Sequence, residues 1–180
     1  MSLQSFVERW SGHAVRHLPD TPDRMNDIYD FSYCGRSTEN RWNVAGEATL
    51  YLAKEKDVAL AEYARHFQVN RTPGLAAKVY RRKVYRFEVK LDEVLDLRRA
   101  SVWSALSLQN APACFKDKNV ARATATFIRN TMAVQAIFVP SAAFLDDLEQ
   151  WCLLLFLEKL PADVRQVLPS AVEDGYFEIS

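Results

Sequence analysis

Four side chains in this sequence have types suited to chemistry: Arg41, Tyr51, Glu62 and Ser141. Glu62 lies in a segment with the spacing of a helix from Asp57 to about Gln68, on which Leu60, Tyr63, Ala64 and Phe67 form an apolar face. At about 100° per residue Glu62 points away from that face. The plain reading is a solvated carboxylate near Arg65 and His66. The sharper reading is that this second face lines a cleft, where a carboxylate can accept a ligand's hydroxyl and stabilise developing positive charge.

Arg41 precedes Gly46 by five residues. It is either a solvated loop arginine or, within a cleft, a planar fork that grips a diphosphate. Tyr51 sits between Leu50 and Leu52, so in a strand it faces the other side from them. Its hydroxyl reaches water, or its ring packs against a ligand. Ser141 follows Val139-Pro140 at the end of an apolar strand and lies outside any G-x-S-x-G elbow, so it is not read as an acyl nucleophile. Arg16 and His17 are weaker candidates. Glu62 and His66 have the spacing to share a metal, but no third ligand accompanies them, so no metal is expected.

Positioning these groups needs a core, and 180 residues at 49% hydrophobic and 26% charged supply one in a single domain. Lys+Arg and Asp+Glu both number 23. The balance gives no basic footprint for nucleic acid and leaves self-association, such as a homodimer, unopposed by net charge. Cys34, Cys114 and Cys152 are odd in number and lack metal spacing, which reads as free thiols in a reducing cytoplasm. The first twenty residues carry no apolar signal segment, and the apolar run Trp151–Leu157 is too short to span a bilayer.

Leu3, Phe6, Val7 and Trp10 have helical spacing, and Ala14–Leu18 reads as a first strand. The segment from Asp20 to Arg41 reads mostly as loop, and Pro73-Gly74 breaks the chain. Strands are expected at Thr49–Ala53, Tyr85–Leu91, Val94–Leu97, Val134–Val139 and Trp151–Leu157. Helices are expected at Val102–Leu108 and Val120–Met132, with Asp57 as N-cap of the earlier one. There is no G-x-G-x-x-G, no P-loop and no regular βαβ alternation.

The ordered combination R-W-N-x-x-G from Arg41, T-L-Y-L-A from Thr49, A-L-A-E ending at Glu62, D-E-V-L-D-L from Asp92, and V-P-S-A-A from Val139 resembles the RES-domain family. The resemblance covers about residues 14–157, leaving an N-terminal helix and a C-terminal tail as extensions of one domain. The family often has a glycine directly before the arginine, where Asn40 stands here.

The resemblance implies an α+β fold like that of ADP-ribosyltransferases, with small mixed sheets flanking an NAD cleft and helices around them. It implies Arg41, Tyr51, Glu62 and Ser141 as catalytic residues, with Arg16, Arg41, Tyr51 and Ser141 binding NAD. NAD is then a substrate, with no separate cofactor. The expected activity is that of a toxin that cleaves the nicotinamide–ribose bond, as glycohydrolase or phosphorylase. The expected partner is an Xre-like helix-turn-helix antitoxin. A protein ADP-ribosyltransferase and an inactive NAD-binding or protein-interaction module are the alternatives.

Overall fold

The computed structural model describes residues 2–20, 27–70 and 80–179, with side chains 66–70, 80 and 178–179 left aside. The expected chain break at Pro73-Gly74 and the side chains of His66 and Phe67 lie outside the described residues.

Alternating apolar residues build the sheet. Its strands are β1 (Val7–Pro19), β2 (Thr49–Ala53), β3 (Tyr80–Asp96), β4 (Ala136–Pro140), β5 (Trp151–Phe156) and β6 (Ser170–Ile179). They form one sheet in the order β1-β2-β5-β4-β3-β6, and β1 also pairs with β3. Five strands therefore close on themselves, which removes most of the open edge a flat sheet would have. Small separate sheets are thus corrected to a single barrel-like one. It is mixed, because β3 and β4 run parallel while the other pairs are antiparallel.

The two faces of each strand separate into two cores, as the period of two requires. Ala14, Leu50, Leu52, Phe87, Phe138, Leu153 and Leu155 form one, drawn from all five strands of the ring. Val15, Val84, Leu95, Ile137, Val139, Leu154 and Phe156 form the other. Against that second face pack the three α-helices of the described residues: α1 (Lys56–Asn70), α2 (Ala100–Ala105) and α3 (Lys118–Thr131). Among the described residues the α-helices therefore lie on one face and do not surround the sheet.

The expected N-terminal helix is corrected. Leu3–Phe6 form only a short 3₁₀ turn, and Val7 and Trp10 already belong to β1. Pairing with β3 slips between Glu8 and Trp10, a bulge that sends Trp10 into the ring. There its indole meets Phe138 and Trp151 edge-on at 5.1 and 5.8 Å. A Cβ on Gly12 would come within 2.6 Å of that indole, so the glycine makes its room.

The two expected strands Tyr85–Leu91 and Val94–Leu97 are one continuous strand, β3. Alternation breaks at Asp92-Glu93, whose backbone N–H groups both donate to Gln135 Oε1 at 2.8 and 3.3 Å. The C-terminal tail is part of the domain, since β6 pairs along β3 from Ser170 to Ile179. Among the described residues no helix is long and apolar enough to cross a membrane.

Candidate functional site

β1 and β2 meet at a single register pair, Val15 with Ala53. Beyond it the strands part, and a pocket of about 490 Å³ opens in the split. That volume suits a small-molecule site. Lys54 N donates to Trp151 O of β5, and Ala48 O accepts from Leu157 N just beyond that strand. By alternation the backbone groups of Thr49 and Tyr51 face the split, where no strand pairs with them. The pocket is thus lined by peptide groups as well as side chains.

The long loop before β2 forms one wall, and the sequence holds it by specific ties. Gly35 has φ +81°, and a Cβ there would lie 2.3 Å from Glu47 O, so only glycine lets the loop close on itself. Arg122 on α3 donates to the carbonyls of Asn40 and Thr38. Asn40 is not among the described residues with positive φ, so no glycine is required before Arg41. Lys118 pairs with Glu39 at 2.9 Å across the rim.

Arg41 lines the pocket. Its Nη1 donates to the carbonyls of Phe115 and Lys116 at 2.7 and 2.9 Å, and its Nε is buried without a partner. The full fork expected for a bidentate diphosphate grip is therefore not free, because Nη1 is spent on the backbone. Burial first, then Arg65, lowers the pKa of this guanidinium, while Glu62 raises it.

Tyr51 also lines the pocket, but its hydroxyl does not reach for water. It accepts from the Trp42 N–H at 3.1 Å and donates to Asn43 Oδ1 at 2.8 Å. Burial raises its pKa well above the ordinary phenol value, so it stays a neutral donor. Tyr51 thus pins the Arg41-Trp42-Asn43 turn, and Asn43, fully buried, is a positioning residue that sequence spacing alone did not single out.

Glu62 lines the pocket as well. The fully solvated reading fails because Glu62 is partly buried, three residues after the buried Ala59 and four after the buried Val58, while Leu60 and Tyr63 of the expected face also pack against the same core. Residues three apart share a face, so Glu62 points at the sheet. Ser141 Oγ donates to Glu62 Oε1 at 2.6 Å, and the Ala143 N–H donates to the same oxygen at 3.1 Å. No described donor reaches Oε2. Ser141 itself is fully buried and does not line the pocket. It fixes the carboxylate from behind. The pair is separated by 79 positions in sequence.

Arg16 lines the far end, donating to Ile28 O at 3.1 Å with its guanidinium 5.1 Å from the Phe31 ring centre. Beside it His17 accepts from Arg82 Nε through Nδ1 at 3.1 Å, which places its own proton on Nε2. Burial first, then Arg82 and Arg16, pushes its pKa from 6.5 down to about 3. In the unfolded chain the imidazole takes up a proton below about 6.5. The unfolded state therefore binds more protons from pH 6.5 down to about 3, and stability falls as pH drops through that window. Between pH 6.5 and 5, before ordinary carboxylates titrate, the expected loss is about 1–2 kcal/mol. Urea unfolding at both pH values measures it, and His17→Asn should flatten the slope.

Cys34 and Cys152 complete the lining, and burial raises the pKa of both thiols. Cys152 also feels the charge of Glu62. Arg65, read from sequence only as a neighbour of an exposed Glu62, lines the pocket too.

A family profile described as the RES domain matches residues 16–178. The chain belongs to the RES-domain family. The match includes β6, and so extends past the stretch to residue 157 in which the family pattern is legible. Among solved structures the chain resembles one from the "Crystal structure of the M.tuberculosis MbcT-MbcA toxin-antitoxin complex". The TM-score is 0.66 at 19% identity, covering 96% of this chain and 90% of that one. At that identity the likeness speaks for the RES fold. A search of curated protein sequences found no significant match.

Proposed function

We propose that this RES-domain protein binds NAD in the pocket between β1 and β2 and breaks its nicotinamide–ribose bond. The observation that supports this best is Glu62, a pocket carboxylate with Oε1 clamped by Ser141 and Ala143 and Oε2 left open. Nicotinamide departs as a neutral molecule, so the step needs no general acid. Its difficulty is the cation-like ribose of the transition state. A carboxylate already oriented and partly shielded from water stabilises that charge without reorganising.

The pocket places four cations, Arg16, Arg41, Arg65 and Lys118, against two carboxylates, Glu39 and Glu62. That excess suits a diphosphate, and holding it contributes the proximity term. Nη2 of Arg41 is the part of its fork left for the ligand. Tyr51 acts through the turn that carries Arg41, and Ser141 through Glu62. Arg16 and the open backbone edge of β2 orient the rest of the dinucleotide. The released ADP-ribosyl group passes to water or phosphate. We read the fold as ADP-ribosyltransferase-like on the same grounds.

The likeness to a chain of a toxin–antitoxin complex supports the biological reading: a toxin that consumes NAD in the cytoplasm until an antitoxin, of the Xre-like helix-turn-helix kind, restrains it. Expression of the chain alone should slow growth and lower cellular NAD, and Glu62→Ala at matched levels should relieve both. Equal growth and equal NAD with either form would remove the toxin reading.

A further inference from the structure

Among the described residues, every cation of the pocket except one is already engaged. Arg16 donates to Ile28 O, Arg41 to Phe115 O and Lys116 O, and Lys118 pairs with Glu39. Arg65 makes no hydrogen bond, ion pair or ring contact among the described residues. It is half-buried in the pocket wall, three residues after Glu62 and on the same face of α1. It lies near enough to Arg41 for the two charges to oppose each other. An unpaired guanidinium held partly out of water beside a second one is costly, and an anion seated between them offsets that cost.

We propose that Arg65 is the phosphate-gripping residue of the pocket, its free fork receiving the diphosphate of a dinucleotide beside Nη2 of Arg41. The identity of the ligand rests on the NAD reading. Anion capture by Arg65 stands on the charge arrangement alone. The geometry divides the work: Arg41 holds the loop and offers one amino group, while Arg65 has both its nitrogen pairs free for the bidentate contact. Because Arg65 rides one turn beyond Glu62, the helix sets the distance between the gripped phosphate and the reacting sugar. Loss of Arg65 therefore weakens binding of substrate more than it slows the bound substrate's reaction.

The test is calorimetric titration of inorganic pyrophosphate into wild type, Arg65→Ala and Arg65→Lys at low salt, where charge contacts are least screened. Thermal melting of each variant confirms that it is folded. Wild type should bind pyrophosphate, Arg65→Ala should bind it about tenfold or more weakly, and Arg65→Lys should recover part of the loss, since it restores the charge but not the fork. With NAD, Arg65→Ala should raise KM by a similar factor and change kcat less. Equal pyrophosphate affinity in wild type and Arg65→Ala, or no binding by wild type, would overturn the proposal. Arg65-dependent pyrophosphate binding by a protein that leaves NAD intact would keep the anion site and remove the NAD reading. NAD cleavage with Arg65-independent pyrophosphate binding would do the reverse.

Discussion

Glu62→Gln should lower the rate of the proposed NAD cleavage about 10²–10³-fold, the loss expected when one oriented electrostatic group is removed. The substitution isolates charge from shape. A glutamine Oε1 can still accept from Ser141 Oγ and from the Ala143 N–H, so the side chain keeps its place. What disappears is the negative charge of a carboxylate whose Oε2 no described donor reaches. Rapid-quench measurement of nicotinamide release, alongside a melting temperature equal to wild type, separates the two effects. A variant with wild-type rate would show that the carboxylate charge has no part in the chemistry.

Tyr51→Phe costs about 2–3 kcal/mol of stability and takes most of the activity with it. The hydroxyl both accepts from the Trp42 N–H and donates to Asn43 Oδ1, and Asn43 is fully buried. Removing it leaves a buried donor and a buried acceptor without partners, and such groups carry the larger part of a lost hydrogen bond's cost. The turn they hold carries Arg41, whose ties to Phe115 O and Lys116 O then lose their anchor on β2. Urea unfolding of the variant checks the energy, and turnover at a temperature where it is still folded checks the coupling. A change below about 0.5 kcal/mol, as for an ordinary surface substitution, would mean that the turn is held by something else.

Both effects depend on contacts that sequence reading meets only halfway. The strand Thr49–Ala53 is legible to the residue because Leu50 and Leu52 flank a tyrosine on the opposite face, and the structure puts them in the two different cores. Val120–Met132 is likewise legible as helix, within two residues of α3. Trp10 is not legible. Its spacing from Leu3, Phe6 and Val7 fits a helix, whereas a bulge in β1 puts it in the ring.

The site shows the same division. Residue types and order single out Arg41, Tyr51 and Glu62, which do line one pocket. They do not reveal that Ser141 stands behind Glu62, or that the Arg41 fork is half spent on backbone carbonyls. Those facts depend on chain segments more than seventy positions apart. Nor does periodicity show that β1 and β2 part after one register pair, which is what creates the pocket. Periodicity likewise leaves the direction of Glu62 open: Leu60 and Tyr63 pack partly against the core, but Val58 and Ala59 are the fully buried residues of α1, and Glu62 follows them by one turn.

The measurement that tests the central claim most directly is nicotinamide release. Purified chain, freed of any bound partner, is incubated with NAD in the presence and absence of phosphate, and the products are identified by mass spectrometry. The account predicts that NAD disappears with one nicotinamide formed per molecule consumed, the ADP-ribosyl product carrying either a hydroxyl or a phosphate according to the acceptor. NAD recovered intact after prolonged incubation with folded protein would contradict it.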